Sequence, residues 1–120
     1  MSLVTMAIPI VSGKTEAWRR FVDELNGPRR AEFEASRRRM GVRERTFLQQ
    51  TPMGDLVIVT LEGDDAEHAF QRFVSADDEF TRWFVAQAKD LHGVDLTHAA
   101  NAPVPERVID TDSMAQRKAA

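Results

Sequence analysis

The chain has 120 residues, 42% of them apolar and 29% charged, with a net charge of −3 and no cysteine or tyrosine. That is one globular domain with enough apolar material for one core. It excludes disulfides, thiolate metal sites, cysteine nucleophiles and phenolic acid–base chemistry.

LVTMAIPIV, residues 3–11, reads as a buried first strand, with Pro9 at its end or at a bulge because proline has no N–H to donate. The apolar start lacks a basic flank, so a strand is expected there and not a leader, which implies a soluble, cytoplasmic protein. No apolar run approaches the roughly 20 residues of a membrane span. A helix begins near Lys14 or Thr15, with Trp18, Phe21, Val22 and Leu25 at i, i+3, i+4 and i+7. Asn26-Gly27-Pro28 interrupts it, and a second helix runs to about Met40, where Gly41 stops it. Residues 43–50 form a weakly alternating strand. Turn residues at 51–55 join it to the strong apolar strand 56–61 as a hairpin. Asp64-Asp65 opens helical spacing through Val74, residues 75–78 break it, and Phe80, Trp83, Phe84, Ala88 and Leu91 resume it as far as Gly93. ERVID, residues 106–110, reads as a short last strand, and residues 113–120 have the composition of a disordered tail. The expectation is therefore a single α+β domain over 1–112.

The order β, helix, β, β, helix, β, with both helical stretches broken, is the split plan of the ferredoxin-like βαββαβ fold. Strand 56–61 is apolar on both faces, and two helical connections cover only one face of a sheet. The other face calls for a partner, and a second copy packed sheet on sheet is the simplest one.

ELNGPRRAEFEASRRRMGVRERTFLQQTP followed by GDLVIVTLEGDD resembles a set of small bacterial proteins of no assigned activity. In element order and length the chain is similar to the dimeric α/β-barrel superfamily. That superfamily includes antibiotic-biosynthesis monooxygenases, stress-responsive barrel proteins and haem-degrading monooxygenases. The resemblance implies a homodimeric barrel. It also implies, as an alternative activity, a cofactor-independent oxygenase acting on an aromatic substrate, with Asn26, Trp18 and Gln49 as the residues to carry it. The Asn, Trp, His set of the haem degraders is matched only in part, by Asn26, Trp18, Trp83 and the helix-end His92. No cofactor is expected.

Residues 28–45 hold seven arginines against three glutamates, and residues 62–79 hold seven acids against one arginine. If the two helical stretches run antiparallel on one sheet face, Arg37, Arg38 and Arg39 come near Asp64, Asp65 and Glu67. The basic stretch is then a compensated, solvated surface. An acidic chain with one interleaved aromatic, Phe33, argues against nucleic acid. His68, His92 and His98 show no ligand spacing, so no metal site is expected. There is no Gly-rich phosphate loop and no Ser/His/Asp pattern. What remains is a pocket between sheet and helices, with Trp18, Asn26, Arg45, Phe47, Gln49 and Trp83 as its candidate residues. Its ligand would be a small apolar or acidic molecule. The leading expectation is a non-catalytic or small-molecule-binding homodimer.

Overall fold

The first strand, β1 (Ser2–Pro9), leads through a Gly13 turn into α1 (Thr15–Asn26). Helix α2 (Arg30–Met40) follows, and then the hairpin of β2 (Val42–Thr51) and β3 (Gly54–Gly63). A short 3-10 turn (Ala66–His68), α3 (Ala69–Val74) and α4 (Glu79–His92) come next. This computed structural model describes residues 2–98 and 105–112. The expected tail at 113–120 lies outside the described residues.

The protein is a mixed α+β fold. Among the described residues three strands form one antiparallel sheet in the order β1-β3-β2. Directly opposed residues of antiparallel strands point to the same side. The register therefore sorts the sheet into two faces. Rows Ile8–Val57–Leu48, Met6–Val59–Thr46 and Val4–Leu61–Glu44 make one face. Rows Pro9–Leu56–Gln49, Ala7–Ile58–Phe47, Thr5–Thr60–Arg45 and Leu3–Glu62–Arg43 make the other. The helices cover the first face, where Met6, Val57 and Leu61 are buried. The second face is open, with Leu3 45% and Phe47 52% exposed.

Local chemistry explains the helix ends. Trp18, Phe21 and Leu25 bury one side of α1. At the break a Cβ on Gly27 would stand 2.9 Å from the Asp23 carbonyl oxygen, and the Arg29 N–H donates to Glu24 O instead of continuing the helix. Gly41, at φ 72°, takes the left-handed conformation that closes α2, its N–H donating to the carbonyls of Arg37 and Arg38. A Cβ on Gly63 would meet Gly41 O at 2.1 Å, so only glycine lets the end of β3 lie against this junction. Asp78 caps α4 by accepting the Thr81 N–H at 2.7 Å.

One expected element does not form. Residues 106–110 adopt no strand, and Val108 and Ile109 are 80% and 73% exposed. ERVID sets two adjacent apolar residues among charges. It has no alternation that would bury one face of a strand against this sheet. Among the described residues the outer edge of β1 therefore carries no fourth strand.

Two apolar clusters make the core. One gathers Met40, Leu61, Ala69 and Phe73 beneath α3. The other gathers Trp18, Phe21, Leu25, Phe80 and Leu91 between α1 and α4. Val59 and Phe84 pack against both.

Candidate functional site

The two clusters do not close fully on each other. Between them lies a cavity of about 280 Å³, walled by Met6, Val57 and Val59 of the sheet and by Trp18, Phe21, Phe33, Phe73, Phe84 and Ala88 of the helices. The few polar groups on its walls are Asn26, Arg37, Glu44, Thr46 and His92. The volume is near the low end of the about 300–1,000 Å³ typical of small-molecule sites. It suits one or two rings and not a macrocycle.

The dominant polar feature is an ion pair. Arg37 Nε donates to Glu44 Oε1 at 2.7 Å, with the two side chains only 11% and 12% exposed. Arg37 Nη1 donates to Ser36 Oγ at 3.0 Å and lies 3.4 Å from Met40 Sδ. The guanidinium carbon stands 4.6, 4.9 and 5.2 Å from the ring centres of Phe33, Phe84 and Phe73. Glu44 Oε2 accepts the Thr46 hydroxyl at 2.5 Å. Removing two charges from water costs several kcal/mol per ion unless partners replace the lost hydration. Here a short charge-assisted bond and three aromatic faces do so. Among the described residues Nη2 has no hydrogen-bond partner.

The sequence carried a signal for this pair. Phe33, Arg37 and Met40 stand at i, i+4 and i+7, one face of α2, so the first of the three consecutive arginines points inward and the next two rotate away. On β2, Val42, Glu44, Thr46 and Leu48 share the covered face. Arg45, Phe47 and Gln49 do share a side, as expected from their spacing, but it is the open side. They do not line the cavity. Phe47 is half-exposed, and Arg45 stands 3.7 Å from Glu62, its diagonal neighbour in the adjoining row.

Of the other expected pocket residues, Trp18 and Asn26 are on the cavity wall. Trp83 is displaced to a separate open groove between α1 and α4, bordered by Arg20, Glu24, Arg29 and Asp90. Its ring packs on Phe21 and Phe80 at 5.4 and 5.8 Å and is roofed by the Arg29 guanidinium at 4.3 Å. Glu79 holds that guanidinium through two bonds of 2.8 and 2.9 Å. This fork raises the pKa of Arg29 and lowers that of Glu79.

The remaining charges pair differently from the expectation. Arg37, Arg38 and Arg39 do not pair with Asp64, Asp65 or Glu67. Arg39 lies 3.5 Å from Asp78, and Arg30 binds Glu34. The place beside Asp65 is taken by Arg72, which bonds Asp65 Oδ2 at 2.9 Å and sends two further bonds to the Met40 carbonyl at the end of α2. His68 also binds Asp65, at 2.6 Å, which with Arg72 holds this carboxyl below its ordinary range. Asp65, Glu67 and His68 thus bring three ligand-type groups within 4.8 Å of one another at the surface, but the Asp65 carboxylate is already engaged.

His92, which the sequence placed at a helix end, also borders the cavity. Its Nδ1 lies 2.9 Å from the Pro9 carbonyl oxygen, a partner that only accepts, so Nδ1 carries the proton and Nε2 is the free lone pair. Burial pushes this imidazole below its ordinary pKa against the smaller opposing effect of that hydrogen bond.

No family model, curated protein or solved structure matches the chain.

Proposed function

We propose that the chain is a small-molecule-binding module, holding a one- or two-ring apolar compound between the sheet and the helices. The observation that carries this is the cavity of about 280 Å³ with a buried Arg37–Glu44 pair on a mainly aromatic and aliphatic wall. Apolar walls supply affinity, and a few fixed polar groups supply orientation. Ala88 lines the cavity and is buried, so Ala88→Leu fills space without removing a contact. Ring compounds that raise the melting temperature of the native protein should leave that of Ala88→Leu unchanged. A variant stabilised as much as the native chain would show that these compounds bind elsewhere.

We further propose that the open sheet face joins a second copy in the manner of the dimeric α/β barrels that the sequence resembles. Supporting this are the apolar residues Leu3, Ala7, Phe47, Leu56 and Ile58 on one continuous face, with Arg43, Arg45 and Glu62 at one end of it. The strand order β1-β3-β2, with the helical connections packed on one sheet face, supports this reading.

His92 favours a second reading, the cofactor-independent oxygenase. Such chemistry needs a proton acceptor beside an electron-rich aromatic substrate, and the free Nε2 of a burial-depressed imidazole on the cavity rim is one.

A further inference from the structure

The polar wall of the cavity has a definite charge and one donor that no described residue uses. Arg37 and Glu44 cancel, so the wall is net neutral although it contains two full charges. Both oxygens of Glu44 are engaged, one by Arg37 Nε and the other by the Thr46 hydroxyl. The guanidinium carbon lies over the Phe33, Phe73 and Phe84 rings, which accept no conventional hydrogen bond from its N–H groups. Among the described residues Nε and Nη1 have partners and Nη2 has none. Arg37 is 9% exposed and lines the cavity, and Nη2 is not sealed from solvent, so a cavity occupant with an acceptor would take this donor in place of water.

We infer that the cavity selects a neutral ring compound carrying a carbonyl-type acceptor, which takes its hydrogen bond from Arg37 Nη2, and that it discriminates against the corresponding acid. This rests on the cavity being the binding site. The reason is electrostatic. A ligand carboxylate on Nη2 would stand within a few ångströms of the Glu44 carboxylate, in a space walled by aromatic rings. One cation would then serve two anions, leaving a net negative charge where water screens it less than at the open surface. A ketone or aldehyde oxygen accepts the same bond and adds no charge. A bare hydrocarbon leaves the donor unserved. The buried arginine thus does not mark an acid site, because its counter-charge is already built in.

The test is calorimetric titration at neutral pH with acetylnaphthalene, naphthoate and naphthalene, the two substituents being at the same ring position. The native protein should bind the ketone at least tenfold more tightly than either the acid or the hydrocarbon. Glu44→Gln keeps an acceptor for Arg37 Nε but leaves the wall with one positive charge, so there the order of ketone and acid should reverse. Naphthoate binding the native protein as tightly as the ketone overturns the inference and leaves the binding function standing. Naphthalene binding as tightly as the ketone does the same, because Nη2 is then not used. An unreversed order in folded Glu44→Gln also overturns it. If that variant does not fold, the native comparison decides alone. Absence of binding by all three overturns the cavity as a binding site, and this inference with it.

Discussion

Replacing Arg37 by methionine tests whether the buried pair is what holds α2 onto β2. Methionine is unbranched and follows the arginine stem to about Nε, so it keeps part of the packing beside Phe33, Phe73 and Phe84, its polarizable tip offsetting part of the lost cation–π attraction. What it cannot replace is the counter-charge. Glu44 would be left 12% exposed with the Thr46 hydroxyl as its partner. Removing one member of a buried pair costs about 3–5 kcal/mol. The surviving hydroxyl bond and the slight exposure of both groups place this case at the low end, about 3 kcal/mol. In urea, at a slope of about 2 kcal/mol/M, that is a fall in midpoint of roughly 1.5 M. Unfolding should be followed at one fixed protein concentration, because any association adds to apparent stability. Arg37→Met with Glu44→Leu removes both charges and should return to within about 1 kcal/mol of the native protein. Arg38→Ala, on the exposed side of α2, should cost less than about 1 kcal/mol. A cost below about 1 kcal/mol for Arg37→Met alone, or a double variant no better than the single one, would refute the argument that an uncompensated carboxylate is what destabilises.

Light scattering should give twice the 13.6 kDa chain mass at micromolar concentration, and Phe47→Asp, on the open sheet face, should halve it; a native monomer removes the barrel proposal. For His92 the folded pKa lies below the unfolded value of about 6.5, so the unfolded chain binds the extra proton first. Its contribution to stability is complete above about pH 6.5 and is lost as pH falls toward the folded pKa. Nitrogen NMR should show Nδ1 protonated at neutral pH and a midpoint below 6.5. In the oxygenase reading, oxygen uptake with a naphthol-type substrate should disappear in His92→Gln while binding persists, and equal uptake by the two proteins would exclude His92 as the base.

Much of the architecture could be read locally because its causes are local. The stripe Trp18, Phe21, Leu25 and the breaks at 26–28 and 75–78 follow from helical period, glycine conformation and capping, which need no distant partner. Gly41 and Gly93 end their helices for the same reason. Pro9 ends β1 as its missing donor requires.

What the sequence by itself did not determine is which way each amphipathic element turns. Period two places Arg45, Phe47 and Gln49 together but is silent on which side meets the helices, and the large Phe47 is a misleading guide. The choice was made by β3, whose Val57, Val59 and Leu61 carry Leu48, Thr46 and Glu44 inward with them through the pairing register. On α2 the run of arginines masks a stripe of Phe33, Arg37 and Met40. Arg37 belongs inside only because Glu44 arrives opposite it across the Gly41 junction. ERVID had the composition of a strand, but strand pairing is a property of two segments, and no neighbour receives it among the described residues. Tertiary structure thus decided the buried pair, the cavity and the open face, because each depends on residues distant in sequence meeting, and local propensity does not encode that meeting.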